Sequence, residues 1–388
     1  MEGKSVDVGA GRPVWALGLM SGTSLDGVDA ALVETDGEVV TGFGPSGYTP
    51  YDKTAMQALP AVMADPLRHL GAAREEDRIR LRFAEDEVVR LHARGVVDLL
   101  SGMPEGPLPE LVAFPGQTVA HYPEKQWTWQ LGDGGVLARA LNRPVVWDFR
   151  SEDLRQGGQG APLAPFFHFA MARSLGLEGP VAFLNIGGVA NVTWVDPSFE
   201  RPEEEGALLA FDTGPGNALI NDWMQARAGQ PVDLDGRTAA DGNRDAADLV
   251  TNFVADFWGR PGPKSLDRNE FGGVMDRVEG LSVPDGAAVL TDFTVRSVDA
   301  AARQLPAPPK RWLICGGGRQ NATMMRWLAE RLGAPVDPVE AVGLDGDMLE
   351  AQAFAYLAVR VLRGLPTSAP ATTGCHAPVC GGKFSGPD

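Results

Sequence analysis

Residues 14–34 run from an apolar strand pattern through a glycine-bearing turn into a second strand pattern, and the same sequence of patterns returns about half a chain later. Val14–Met20 stops at Ser21-Gly22-Thr23-Ser24-Leu25-Asp26-Gly27, after which 28–34 resumes an extended pattern. Val181–Ile186 stops at Gly187-Gly188, and 191–195 alternates beyond it. The recurrence reads as an internal duplication, so the chain is expected to build two similar cores. Its 388 residues are enough for two domains of ordinary size.

The rest of the chain fits that plan. An apolar stripe of Ile79, Phe83, Val88, Leu91, Val96 and Leu99 predicts a long amphipathic helix over 77–101. Short strands are predicted at 111–114, 128–131, 144–149, 207–211, the last leading into a turn at 212–216, and at 312–315, and helices at 217–227, 322–332 and 347–362, the final one also amphipathic. Strands alternating with helices predict α/β layers with a parallel or mixed sheet in each half. The expected division is a domain at 14–150, a second at 151–365, and a flexible Gly-, Pro-, Ser- and Thr-rich tail at 366–388.

Charge narrows the partners. Lys and Arg number 34 against 51 Asp and Glu, a formal net charge of −17. That repels polyanions and leaves no basic footprint for nucleic acid. No apolar stretch approaches the ~18 residues of a membrane span, so no membrane partner is expected. Cys315, Cys375 and Cys380 are too few for a disulfide framework, and residues 1–13 lack the apolar core of a secretory leader. A cytoplasmic protein is expected. Cys375, Cys380 and His376 lack the paired spacing of a zinc site.

A glycine turn at the end of a parallel strand bares successive backbone N–H groups, and glycine lets that backbone approach an anion. Loop 21–27 adds three hydroxyls and the carboxylate of Asp26, which suit phosphate oxygens and Mg2+ or its waters. An ordinary polar hairpin turn is the competing reading. Gly187-Gly188 and Gly316-Gly317-Gly318 repeat the pattern, so two phosphate clamps and one nucleoside surface are predicted. Other signatures fail. There is no G-x-x-x-x-G-K-[ST], Ser21 lies in G-x-x-S-G rather than the G-x-S-x-G of a hydrolase elbow, Gly157-Gly158-Gln159-Gly160 lacks dinucleotide spacing, and Arg237 spoils the calcium-like run from Asp233.

Taken in order, the segments Gly18-Leu19-Met20-Ser21-Gly22-Thr23-Ser24-Leu25-Asp26-Gly27-Val28-Asp29, Gly116-Gln117-Thr118, Asp148-Phe149-Arg150, Gly157-Gly158-Gln159-Gly160-Ala161-Pro162-Leu163, Asn185-Ile186-Gly187-Gly188, Phe211-Asp212-Thr213-Gly214-Pro215-Gly216-Asn217 and Cys315-Gly316-Gly317-Gly318 resemble the anhydro-N-acetylmuramic acid kinase family. The resemblance covers about residues 14–365. It implies duplicated actin/hexokinase/Hsp70-type (ribonuclease H-like) α/β domains closing around ATP in the cleft between them. It also implies that ATP and water convert 1,6-anhydro-N-acetylmuramic acid to N-acetylmuramic acid 6-phosphate and ADP, in peptidoglycan recycling and amino-sugar catabolism. Homodimers are common in such a family.

Roles follow from the same match. Asp212 corresponds to the family's catalytic aspartate, the base that deprotonates water; its competing reading is a helix N-cap ahead of Asn217. Gly22, Thr23, Ser24, Leu25, Asp26, Gly27, Val28 and Asp29 are expected to hold the β- and γ-phosphates, with Asp26 acting on Mg2+ through waters. Gly187 and Gly188 form the second clamp, and Gly316, Gly317 and Gly318 lie against the nucleoside. Arg150 is expected to grip the lactyl carboxylate of the sugar, with a surface ion pair as the alternative. Gln117 and Thr118 offer hydrogen bonds to hydroxyl or acetamido groups. Glu350 matches a family substrate contact and also suits a first helical turn. Lys264, in a family-like segment, has no assigned role. Pro115 stands where the family usually has histidine, and Ser151 where it often has a second arginine.

Two other classes remain open. One is an ATPase module of the same superfamily, which would hydrolyse ATP at full rate without sugar. The other is a glycosidase-like hydrolase pairing Asp212 with Glu350, which would open the ring without ATP.

Overall fold

The computed structural model describes residues 11–22, 25–69, 74–103, 105–251, 255–266, 271 and 273–388. The chain forms two compact units, one holding the described residues up to Ser174 together with Met348–Asp388, the other Leu175–Asp347.

In the first unit, β1 (Val14–Met20), β2 (Gly27–Thr35) and β3 (Val40–Pro50) form an antiparallel meander. β1 is a nearly unbroken apolar run and is buried along most of its length, as a central strand must be. Helix α1 (Glu75–Ser101) opens on Glu75, Glu76 and Asp77, whose charges complement the helix dipole. Its stripe begins later than expected. Ile79 and Phe83 are exposed, and the buried apolar residues start at Ala84 and continue through Val88, Leu91 and Val96. β4 (Leu111–Phe114) then pairs parallel with β1, β5 (Gln117–Tyr122) and β6 (Trp127–Leu131) form a separate hairpin, and β7 (Val145–Trp147) pairs parallel with β4.

The second unit repeats this plan. β8 (Val181–Ile186), β9 (Val189–Val195) and β10 (Leu208–Pro215) form an antiparallel meander, followed by α2 (Ala218–Ala228) and α3 (Val283–Ala302). β11 (Trp312–Cys315) runs parallel to β8, and after α4 (Ala322–Leu332) β12 (Val336–Pro338) runs parallel to β11. The strand order β3-β2-β1-β4-β7 in one unit and β10-β9-β8-β11-β12 in the other is the same order with the same strand senses. This is the duplicated α/β class, with a mixed sheet in each half, expected from the sequence.

The chain then returns to the first unit with α5 (Leu349–Leu362) and β13 (Lys383–Ser385). α5 is buried on nearly every face rather than amphipathic, and it packs on β1 and β2. The units therefore divide after Ser174 and before Met348 rather than at 150/151.

The stretch from 366 onward is not the flexible tail expected. β13 pairs antiparallel with β7, from Lys383 opposite Trp147 to Ser385 opposite Val145, and Thr367, Ser368, Thr372 and Thr373 are buried. Its hydroxyls find acceptors inside the unit, which a reading of composition alone cannot see. Each unit has its own core. Leu17, Leu32, Val88 and Val112 belong to the first, and Leu184, Phe211, Phe293 and Ile314 to the second. Among the described residues no helix is long and apolar enough to cross a membrane.

Candidate active site

Three of the sequence-predicted segments meet in the second unit. Gly187-Gly188 is the turn of the β8–β9 hairpin, and its carbonyls accept the N–H groups of Gly216 (2.9 Å), Asn217 (2.7 Å) and Ala218 at the start of α2. The Asn217 side chain donates to the Ile186 carbonyl at 3.0 Å. A Cβ on Gly216 would stand 2.2 Å from the Gly187 oxygen, so glycine is required for this approach. Gly316-Gly317-Gly318 follows β11 and presses on the same hairpin. Gly316 has φ +70°, and a Cβ there would stand 2.3 Å from Asn185 Oδ1. The loop is braced by Arg319, which donates to the Gly316 carbonyl at 3.1 Å and is paired with Glu340 at 2.7 Å and Asp347 at 2.9 Å.

Asp212 lies on β10, which continues to Pro215 through what the sequence suggested was a turn; the strand bulges between Asp212 and Gly214. Bulges re-aim side chains, and they are common beside active sites. The residue does not cap α2, whose N-cap position is Asn217. Segment 264–266 brackets it instead: its N–H donates to the Lys264 carbonyl at 2.9 Å, and the Leu266 N–H donates to its Oδ2 at 2.8 Å. Burial raises the carboxyl from 3.8 to about 7, with the Leu266 hydrogen bond opposing the shift.

Lys264, unassigned from sequence, is a buried staple. Its Nζ donates to the carbonyls of Phe257 (2.9 Å) and Arg260 (2.7 Å) and to Gln304 Oε1 (3.2 Å). Burial, helped by Arg260, lowers its pKa to about 8.

In the first unit, loop 21–27 is a hairpin turn between β1 and β2, and Thr23 and Ser24 lie outside the described residues. Ser21 is buried. Its hydroxyl donates to Gln117 Oε1 at 2.7 Å and shares a hydrogen bond with the Tyr51 hydroxyl. Gln117 is fully buried, and its Nε2 donates to the Gly22 carbonyl at 3.3 Å. It therefore braces loop 21–27 from within the unit. Burial above all pushes the Tyr51 phenol up to about 12, leaving it protonated as a donor.

Leu25 has φ +55°, Asp26 is exposed, Asp29 is half-buried, and Val28 is fully buried in the core. A Cβ on Gly27 would meet the Tyr48 ring at 2.4 Å. Thr118 accepts a hydrogen bond from Gln130 at 3.4 Å.

Arg150 is half-buried, and its Nη1 donates to the Gly160 carbonyl at 2.7 Å, so it is no surface ion pair. Burial lowers its pKa, while Glu350 and Asp153 pull the other way. Glu350, in the first turn of α5, reaches solvent, but its protein surroundings raise its pKa against the opposing Arg150 charge. Of the two sequence readings of Glu350, the place in a first helical turn is the one seen here. His121, whose Nδ1 is 2.9 Å from Thr128 Oγ1, belongs to the same cluster. Burial, reinforced by Arg150, pushes it down to about 4 and keeps the ring neutral.

Tyr51, Asp153, Arg319 and Leu266 were not singled out from sequence, since their roles depend on contacts distant along the chain. Asn217 stood within a quoted motif but was not recognised as a bridge.

The comparisons with known proteins bear on the family. The family model described as anhydro-N-acetylmuramic acid kinase matches residues 14–385. The anhydro-N-acetylmuramic acid kinase of Roseobacter denitrificans is 51% identical over 97% of this chain and 95% of its own. That of Rhodospirillum rubrum is 48% identical over 96% and 94%. Among solved structures, component A of the (R)-2-hydroxyglutaryl-CoA dehydratase of Acidaminococcus fermentans aligns at TM-score 0.45 and 11% identity over 90% of this chain and 99% of its own. A ROK family glucokinase of Streptomyces griseus, in complex with glucose and AMPPNP, aligns at TM-score 0.39 and 14% identity over 89% and 99%. With a match of this length and identity, the chain belongs to the anhydro-N-acetylmuramic acid kinase family.

Proposed function

We propose that this phosphotransferase uses ATP and water to open 1,6-anhydro-N-acetylmuramic acid and to phosphorylate the released O6, giving N-acetylmuramic acid 6-phosphate and ADP, in peptidoglycan recycling and amino-sugar catabolism. Water adds to the anomeric carbon, the bridge C–O bond breaks, and the freed O6 takes the γ-phosphoryl group; the water proton goes to the base. The observation that carries this reading is Asp212, a carboxylate brought by burial to about 7 and aimed by a hydrogen bond from Leu266. A base with pKa near the working pH combines sufficient basicity with a useful ionised fraction.

The remaining roles are assigned by chemistry. Backbone N–H groups of residues 22–29, with the side chains of Thr23, Ser24 and Asp29, take the β- and γ-phosphates. Gly187 and Gly188 form the second clamp, and Gly316, Gly317 and Gly318 offer bare backbone to the nucleoside. Arg150 grips the lactyl carboxylate, Glu350 and Thr118 hydrogen-bond the sugar, and Gln117 supports loop 21–27 from beneath.

Mg2+ fits an exposed Asp26, because the ion keeps several waters and takes other ligands from phosphate. Among the described residues no cluster of three or more His, Cys, Asp or Glu competes for it. When bound, it neutralises charge on the transferring phosphoryl group. Cys315, Cys375 and Cys380 form no disulfide, which suits a cytoplasmic setting, and a homodimer is the assembly that the family resemblance implies.

Activity should follow the ionisation of Asp212. The base works as carboxylate, so kcat/KM should rise with pH, by about tenfold per unit on the acid side, and level off above about 7. A profile flat from about pH 5 to 9, with binding saturated, would remove Asp212 from the proton transfer. Arg150→Gln should raise KM for the anhydro-sugar by at least about tenfold, since a charge-assisted pair is lost, with KM for ATP nearly unchanged in initial-rate assays.

A further inference from the structure

Asp153 lies three residues beyond Arg150 and is fully buried. Three donors converge on its carboxylate. The Gly160 N–H reaches Oδ2 at 2.7 Å, and the hydroxyls of Ser368 and Thr373 reach Oδ1, the second at 2.6 Å. The two hydroxyls come from 215 and 220 residues further along the chain, in the stretch whose composition reads as a loose tail.

The backbone joins in. Gln159 N–H donates to the Thr373 carbonyl at 2.8 Å, and His376 N–H to the Gln156 carbonyl at 3.0 Å. The fit leaves no spare room, because a Cβ on Gly157 would stand 2.2 Å from the His376 ring and one on Gly158 2.1 Å from Asp153 Oδ2. Loop 156–160 is thus clamped on one side by Asp153 and on the other by 373–376. What the loop presents is the Gly160 carbonyl, which accepts Arg150 Nη1 at 2.7 Å.

A buried carboxylate is tolerated only with its hydrogen bonds made, so each donor matters to where the loop lies. The geometry points to a positioning role for the C-terminal segment. Through Ser368, Thr373 and Asp153 it sets loop 156–160, and the loop sets the direction in which the Arg150 guanidinium offers its remaining N–H groups to the substrate carboxylate. This rests on the reading of Arg150 as the anion clamp. A guanidinium binds a carboxylate well only when its planar fork is aligned. Loosening the loop therefore weakens sugar binding while the atoms of the clamp remain.

The test uses the full chain and initial rates against each substrate. Thr373→Val keeps the shape and removes the hydroxyl, Ser368→Ala removes the other, and Thr373→Ser restores a donor. Thr373→Val and Ser368→Ala should each raise KM for the anhydro-sugar by about tenfold, with KM for ATP within about twofold, and Thr373→Ser should match the parent. Arg150→Gln, run beside them, should raise the sugar KM as well.

If Arg150→Gln raises the sugar KM and the two hydroxyl deletions leave it within about twofold, the positioning role is wrong and Arg150 keeps its place. If Arg150→Gln also leaves it unchanged, the clamp reading itself fails and the positioning role falls with it. Equal rises in both KM values, or a Thr373→Ser variant as impaired as Thr373→Val, would mean a general loss of packing and overturn the proposal.

Discussion

Replacing Asp212 with asparagine should lower kcat by about 10²–10⁴ without unfolding the chain. Asparagine keeps the shape and an oxygen for the Leu266 N–H, so the bracket formed by 264–266 survives. What disappears is the proton acceptor. The same substitution has a second signature, because the folded carboxyl titrates at about 7 rather than 3.8. A carboxyl whose pKa is raised on folding holds its proton more tightly in the folded state, so its contribution to stability is full below the ordinary value and is lost as pH rises through about 7. Above that pH the wild type carries a poorly solvated charge that the variant lacks. The variant should therefore be at least as stable as the parent at pH 8 by thermal melting, while nearly inactive. Turnover near the parental rate would show that another group takes the proton.

Gly18→Ala should destabilise the first unit by at least about 1–3 kcal/mol, the usual cost of overpacking. A Cβ at Gly18 would stand 1.7 Å from the Ala351 carbonyl oxygen and 2.7 Å from the Ala355 nitrogen, all backbone of α5. No side-chain rotation relieves such contacts. α5 must lift from β1, and with it Glu350 in its first turn. The midpoint of chemical denaturation should fall, and the sugar KM should rise in whatever protein remains folded. A parental midpoint would mean that α5 does not lie on β1 at this residue.

Gly18 also shows what the sequence could and could not reveal. It lies in the predicted strand 14–20 and opens the first quoted motif, yet its demand is helix packing against a partner more than 330 residues away. Local patterns were legible: β1, β4, β8, β11 and α4 fall where periodicity and turn residues put them, and the repeated hairpin did announce a duplicated topology. Long-range consequences were not. The bulged strand at Asp212 looked like a turn because Thr213-Gly214-Pro215-Gly216 is turn-like in composition, while pairing with β9 decides the matter. The Ser- and Thr-rich end looked mobile because nothing local shows that its hydroxyls meet Asp153. That Gln117 supports loop 21–27 is visible only once Ser21, Tyr51 and Gly22 are placed around it. The chemistry-bearing residues Asp212, Arg150 and Glu350 were found by resemblance. Their electrostatics, a carboxylate without a cation partner among the causes of its shift and a guanidinium whose charge is felt by Glu350, emerge only from the fold.

The central claim is that one base and one phosphoryl donor act in a single coupled reaction. It is tested most directly by counting products from purified enzyme with ATP, Mg2+ and anhydro-N-acetylmuramic acid, each also omitted in turn. The account predicts ADP and N-acetylmuramic acid 6-phosphate in equal amounts, and no ring-opened sugar when nucleotide is left out. Ring-opened, unphosphorylated sugar formed without ATP, or ADP released at full rate without sugar, would contradict it.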